Sequence, residues 1–230
     1  MKLLLVSLLI CLIFALAICN NAPVFRSRRF LIVREDTKIG TVIGKLTAVD
    51  PDGPENLVLN ITDDATAELV MLGPMMTDVP IHSSTADIIL NTTLDRDYEP
   101  SSRKLVFEAT DGETTTTVTV TLNIDDVNDN APQFTQTSYS AKIASTVPVG
   151  TVVLIATAVD PDMAYGGTVQ YTVVTKDLFA FQAFDVNLYT GLIAVKMPLV
   201  TQKGRDLHMK VIATDGGGLQ TSVDVTITVT

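Results

Sequence analysis

The chain has 230 residues, 47% of them hydrophobic and only 18% charged, with 13 glycines, 10 prolines and no tryptophan. That length accommodates one large domain or two of roughly a hundred residues each, and either can bury a core. The net charge of −10 disfavours nucleic acid and anionic membrane surfaces as partners and is compatible with cation binding.

The first element in chain order is an almost unbroken apolar run, Leu3 to Ile18, behind Met1 and Lys2. It reads as a secretory signal peptide, residues 1–19, because a helix of that length reaches about 24 Å, short of the ~30 Å bilayer core. An uncleaved anchor is the rival reading. Both cysteines, Cys11 and Cys19, lie here. A cut after Cys19 leaves a mature chain without thiols, whereas a cut after Ala17 leaves one; the first is preferred because a lone exposed thiol is a liability outside the cell. Neither option gives a disulfide framework, so cores or metals must supply stability. Loss of Lys2 with the leader makes the net charge −11.

Beyond the leader the chain repeats itself at a spacing near 105–110 residues. "NNAPVF" from Asn20 is matched by "DNAPQF" from Asp129, "IGTVIGKLTAVDPD" from Ile39 by "VGTVVLIATAVDPD" from Val149, and "EATDG" from Glu108 by "IATDG" from Ile212. The expected division is a first repeat over 20–130, ending in an acidic linker, and a second over 131–230. Within each copy, "TTTVTVTLNI" and "TSVDVTITVT" alternate apolar and polar residues with period two and are rich in β-branched side chains. "KLVFEAT" and "HMKVIAT" do the same, with Asp-Gly and Gly-Gly turns after them. About seven short strands per hundred residues and no long helical period predict an all-β chain of two tandem Greek-key β-sandwiches. The four consecutive threonines, Thr114 to Thr117, read as a solvent-facing strand.

Acidic residues recur at fixed places: in "DDVNDNAPQF" from Asp125, in Asp-Pro-Asp after an early strand, in Ala-Thr-Asp-Gly before the last hairpin, and in "LDRD" from Leu94. Strand ends and linkers are the poles of a sandwich, and a hard cation such as calcium takes six to eight oxygens at roughly 2.3–2.6 Å. Oxygen donors gathered at one pole can supply that number.

These motifs together resemble the cadherin superfamily. "REDTKIGT" around Glu35, "TADIILNTTLDRD" ending at Asp97, "DVNDNAPQF", "AVDPD" at Asp160 to Asp162 and "ATDG" at Asp215 occur in the family's order and cover essentially the whole chain after the leader. The resemblance implies calcium ligands at Glu35, Asp95 and Asp97 from the first repeat, and at Asp126, the Val127 carbonyl, Asn128, Asp129 and the Asn130 carbonyl from the linker. From the second repeat it implies Asp160, Asp162, a carbonyl near Gly166, and Asp215. The family holds three calcium ions in such a cluster. Asp97 stands where the family usually has glutamate, one methylene longer, and Glu99 is a nearby substitute. In the second repeat Ser145 occupies the position matching Glu35, and Val200 and Gln202 those of Asp95 and Asp97, so its outgoing pole lacks these ligands. At the incoming pole Asp50, Asp52 and Asp111, with Asn21 nearby, form a tentative single-ion tip site, the competing reading being solvated turn aspartates.

Asn60 in "NIT" and Asn91 in "NTT" are glycosylation sequons. The lack of tryptophan removes the anchor of strand-exchanging cadherins, so the expected class is non-swapping, similar to protocadherins or long cadherins. "AVDPD" also has the look of a nucleophile loop of aspartate-based phosphatases, but it occurs in both repeats without an α/β context. His82 and His208 lack partners at zinc or triad spacing.

The resulting expectation is a non-enzymatic, calcium-dependent adhesion ectodomain, extracellular, at the cell surface or secreted. Its partner is another cadherin-type protein, homophilic or heterophilic, with no nucleic acid and no small-molecule substrate. Membrane attachment is expected only if the full-length form continues past Thr230. A soluble competitive fragment is the first alternative and a calcium-dependent hydrolase on a sandwich a remote one.

Overall fold

A computed structural model describes residues 20–53 and 56–230. The leader reading and both cysteines fall outside the described residues. Among those described, no helix is long and apolar enough to cross a membrane. The described residues divide into two compact units, one comprising those of 20–95 and 99–125, the other 96–98 and 126–230. The linker 126–130 thus packs with the second unit.

The first unit is a sandwich of two sheets. One runs β2 (Phe30–Arg34), β9 (Thr115–Asp125), β8 (Ser102–Thr110), β4 (Val58–Ile61); the other runs β1 (Val24–Phe25), β3 (Val42–Val49), β7 (Ser83–Leu90), β5 (Val70–Leu72), with β6 (Met76–Asp78) also on β7. β2 joins β9 in parallel while β8 and β9 form a nine-pair antiparallel hairpin, Ser102↔Asn123 to Thr110↔Thr115. The alternation in the sequence is the reason: Leu105, Phe107, Ala109, Val118, Val120, Leu122 and Ile124 all turn inward, and the intervening threonines turn out or are half-buried. Leu46, Ala86, Ile88 and Leu90 close the core from the other sheet.

The second unit repeats the plan. Its larger sheet is β11 (Ser138–Ile143), β18 (Gln220–Val229), β17 (Asp206–Thr214), β14 (Gln170–Val174), with β11 parallel to β18. Opposite lie β12 (Val152–Ile155), β16 (Leu192–Val195) and β15 (Phe184–Val186), and β10 (Gln133–Phe134) pairs with β13 (Ala158–Val159). Leu207, Val211, Val225, Ile227, Ile193 and Leu199 form its core.

Each unit also holds a six-residue helix that the β patterning hides: α1 (Asp64–Leu69) and α2 (Leu178–Ala183). The signal lies in the caps. The Asp63 carboxylate accepts the Thr66 N–H at 2.8 Å, and Asp177 accepts those of Phe179 and Ala180 at 2.9 and 3.2 Å. An aspartate cap holds one helical turn where apolar periodicity is too short to register.

Candidate metal centre

In the second unit three carboxylates arrive from two strand ends. Asp160 and Asp162 follow β13, and Asp215 follows β17. One oxygen from each lies within 4.8 Å of the others, and Asp162 and Asp215 are buried. A local turn fixes the pair, the Asp162 N–H donating to Asp160 Oδ1 at 3.0 Å. Asp215 is held by the N–H groups of Gly218 and of Leu219, the latter at 2.8 Å.

The linker 126–130 lies against these carboxylates. Met163 N–H donates to Asp126 Oδ2 at 2.9 Å, and Asn128 Nδ2 donates to Asp215 Oδ2 at 3.0 Å. Asn130 donates through its backbone to Asp162 Oδ2 at 3.3 Å, and through its side-chain amide to Asp162 Oδ1, Asp129 Oδ1 and Asp97 Oδ2 at 2.9, 2.9 and 2.6 Å. Asp97 therefore packs with the linker, within the second unit. Two glycines make room for Asn128: a Cβ at Gly166 would lie 2.8 Å from Asn128 Oδ1, and one at Gly217 would overlap its amide. The Gly166 carbonyl, in the predicted ligand region, accepts from Gly216 N–H at 3.2 Å.

Electrostatics mark the site as strained without a cation. Burial pushes the Asp160 carboxyl up, the Asp162 N–H pulls it down, and the charges of Asp162, Asp215 and Asp126 push it up further. Asp126 Oδ1, Asn128 Oδ1 and Asp160 Oδ2 are buried with no hydrogen-bond donor among the described residues. Buried oxygens without donors are costly unless something positive faces them. Carboxylate and amide oxygens are the donor set that calcium takes, so these residues fit that ion.

The other predicted residues lie in the first unit. Glu35 is buried, and its N–H donates to the Asp125 carbonyl at 3.1 Å; Ser145 makes the matching bond to Thr230 at 2.8 Å. The Asp95 backbone carbonyl accepts the Glu99 N–H at 3.0 Å. The Glu99 carboxylate is taken by Arg103 at 2.7 Å, so it is committed to an ion pair. Gln202 is likewise engaged, its Oε1 accepting from Arg205.

At the first unit's tip the scaffold of Asp160 and Asp162 recurs. Asp52 N–H donates to Asp50 Oδ1 at 2.8 Å, Asn21 Nδ2 to Asp52 Oδ1 at 3.0 Å, and Asn20 Nδ2 to Asp111 Oδ2 at 2.9 Å. The N–H and hydroxyl of Thr114, with weaker help from the Glu113 N–H and Asn20, hold the Asp111 carboxyl well below the usual range. A cavity of about 650 Å³ opens here, lined by Asn20, Asp50, Asp52, Asp111, Glu113 and His82 among others. Among the described residues, the tip carboxylates do not gather as tightly as the Asp160, Asp162 and Asp215 group. His208 pairs with Thr226 at 3.1 Å. The sequons Asn60 and Asn91 are both exposed.

Comparison with known proteins agrees with this architecture. The cadherin domain family model matches residues 139–230. Human protocadherin Fat 4 is 32% identical over 209 residues, 89% of this chain and 4% of that protein, and human cadherin-23 is 30% identical over 199 residues, 85% of this chain and 6% of that protein. The chain thus spans a small part of the length of these relatives. Among solved structures, mouse cadherin-23 EC22–24 superposes with a TM-score of 0.76 at 27% identity, covering 92% of this chain and 67% of that one. Protocadherin gamma B2 extracellular domains 1–5 give 0.79 at 27% identity, with 92% and 40% covered. With two units built on one sandwich plan, the same acidic motifs at their poles and these relatives, the chain belongs to the cadherin superfamily.

Proposed function

We propose that this chain is a cell-adhesion ectodomain segment whose linker, 126–130, is stiffened by calcium. The observation that carries the reading is the gathering of Asp160, Asp162 and Asp215 against Asp126 and Asn128, with three buried oxygens lacking donors. Asp126, the Val127 carbonyl, Asn128, Asp129, the Asn130 carbonyl, Asp160, Asp162, a carbonyl near Gly166 and Asp215 would hold the metal, joined by Asp97 and, from the first unit, Glu35 and Asp95. Bound calcium supplies positive charge that offsets carboxylate repulsion. The chain's own role is to hold the oxygens in place: Asn128 wedged between glycines, Asp160 and Asp162 locked by their turn, Asp215 fixed by the loop amides. Nothing in this function calls for catalysis.

The tip residues Asn21, Asp50, Asp52 and Asp111 are proposed as a weaker, single-ion site, because their carboxylates are already supplied with donors by the chain. Asn60 and Asn91 are proposed to carry glycans in an extracellular setting, and the partner to be another cadherin-type protein. Beads coated with the purified protein should aggregate in calcium and disperse in chelator if the contact is homophilic. Beads carrying this chain and beads carrying a candidate partner test the heterophilic form in the same way. The stiffening itself is tested by calcium titration calorimetry, where an absence of binding heat and of any thermal shift refutes it.

A further inference from the structure

Residues Arg26 to Lys45 carry six of the chain's 16 basic residues against two acids, within a protein of net charge −10. Arg26, Arg28 and Arg29 are exposed, and none forms an ion pair among the described residues, while Lys45 lies 3.6 Å from Asp87. The edge strand β2 runs through this basic stretch. Thr121 N–H donates to the Arg29 carbonyl and Glu35 N–H to that of Asp125, so the odd-numbered residues turn their backbone groups toward β9. By alternation Phe30 and Ile32 turn theirs to the opposite edge, where neither makes a backbone bond among the described residues, whereas the Arg34 carbonyl at the strand's end accepts from Thr37 N–H at 3.0 Å. The side chains of Phe30 and Ile32 are 52% and 59% exposed. An edge with unpaired backbone and large apolar side chains is a template for another strand, and β2 has neither proline nor register shift to spoil it.

A cleft of about 400 Å³ opens beside this edge, lined by Arg28, Phe30, Ile32, Ile43, Gly44 and Lys45. Gly44 makes room for Leu31 at the cleft's inner wall: a Cβ there would stand 2.6 Å from Leu31 Cδ2. We infer that the β2 edge and this cleft receive an extended segment of a partner protein in which apolar and acidic side chains alternate. The bare backbone edge calls for an extended chain, the cleft wall for apolar side chains, and Arg28, Arg29 and Lys45 for carboxylates. A sulfated polysaccharide would meet the arginines but gain nothing from Phe30, Ile32 or the backbone edge. A second copy offering the same edge would set arginine against arginine.

The test uses a fluorescent peptide alternating glutamate and valine, titrated into the calcium-loaded protein at physiological salt and followed by anisotropy. Binding is expected, weakened about tenfold by Arg28→Glu and at least as much by Ile32→Glu. Amide shifts should be confined to 28–34 and 43–45. Both substitutions are at exposed positions, and unchanged melting temperatures check that the variants fold. Equal binding of a lysine–valine peptide would overturn the inference, as would no peptide binding at all. So would heparin oligosaccharide binding indifferent to Ile32→Glu in place of peptide binding, or a dimer of this chain lost on Phe30→Ser. This test does not depend on the calcium reading, whose failure would show in the titration above.

Discussion

Replacing Asp160 with asparagine should change the protein in opposite directions with and without calcium. The carboxylate oxygens of Asp160, Asp162 and Asp215 lie at most 4.8 Å apart. At an effective dielectric near 20 an ionised pair at that limiting distance repels by about 3.5 kcal/mol, so the two pairs involving Asp160 sum to about 7 kcal/mol before protonation and screening. Protonation of Asp160, already favoured by its burial, and ionic screening reduce this in practice. Asp160→Asn keeps an oxygen to accept the Asp162 N–H and places an amide where Oδ2 lacks a donor. In chelator, a net gain of about 1 kcal/mol is expected, which raises the melting temperature of a unit this size by roughly 4–8 °C. In millimolar calcium the same change removes a ligand charge, and the variant should melt below the wild type. Differential scanning calorimetry in the two buffers reads both signs. Equal destabilisation in both would refute the reasoning, since Asp160 would then be a structural acceptor alone.

Acidification gives a second expectation. The native pKa of Asp160 is raised above the ordinary 3.8, so in chelator its contribution to stability is full below the ordinary value and is lost as pH rises through the native one. With calcium present the trend reverses over that window, because protons compete with the ion; melting curves at stepped pH check both. Gly217→Ala puts a Cβ into the Asn128 amide and should weaken calcium binding about tenfold, or ~1.4 kcal/mol, measured by titration calorimetry. Phe107→Ala empties a fully buried position in the first unit and should cost about 3–5 kcal/mol by chemical denaturation, leaving the calcium heat of the second unit intact.

Much of this was legible before any coordinates. Period-two alternation in "TTTVTVTLNI" and "TSVDVTITVT" placed β9 and β18, since one face of each is buried and register is thereby dictated. The duplicated motifs told of two units, and the Asp160–Asp162 turn and Asp215 were visible as turn chemistry after strands. The helices α1 and α2 were not, because one and a half turns leave too few apolar repeats, and only the aspartate caps betray them. Nor could spacing show that Asp97 packs with the linker, that Glu99 is consumed by Arg103, or that Gly166 and Gly217 shape a seat for Asn128. The Asp97 and Asn128 contacts join segments far apart in sequence, for which one chain carries no local pattern, and the Glu99–Arg103 pair, four residues apart, is one of several partners open to either charge.

Calcium locking of the linker is the central claim, and proteolysis tests it most directly. The protein is exposed to an endoprotease that cuts after acidic residues, with calcium and with chelator, and the cleavage sites are mapped by mass spectrometry. Slow cleavage within 125–130 in calcium and rapid cleavage there in chelator is the predicted result, with Asp162→Ala cut rapidly in both. Equal cleavage rates of the wild type in the two conditions would contradict the account.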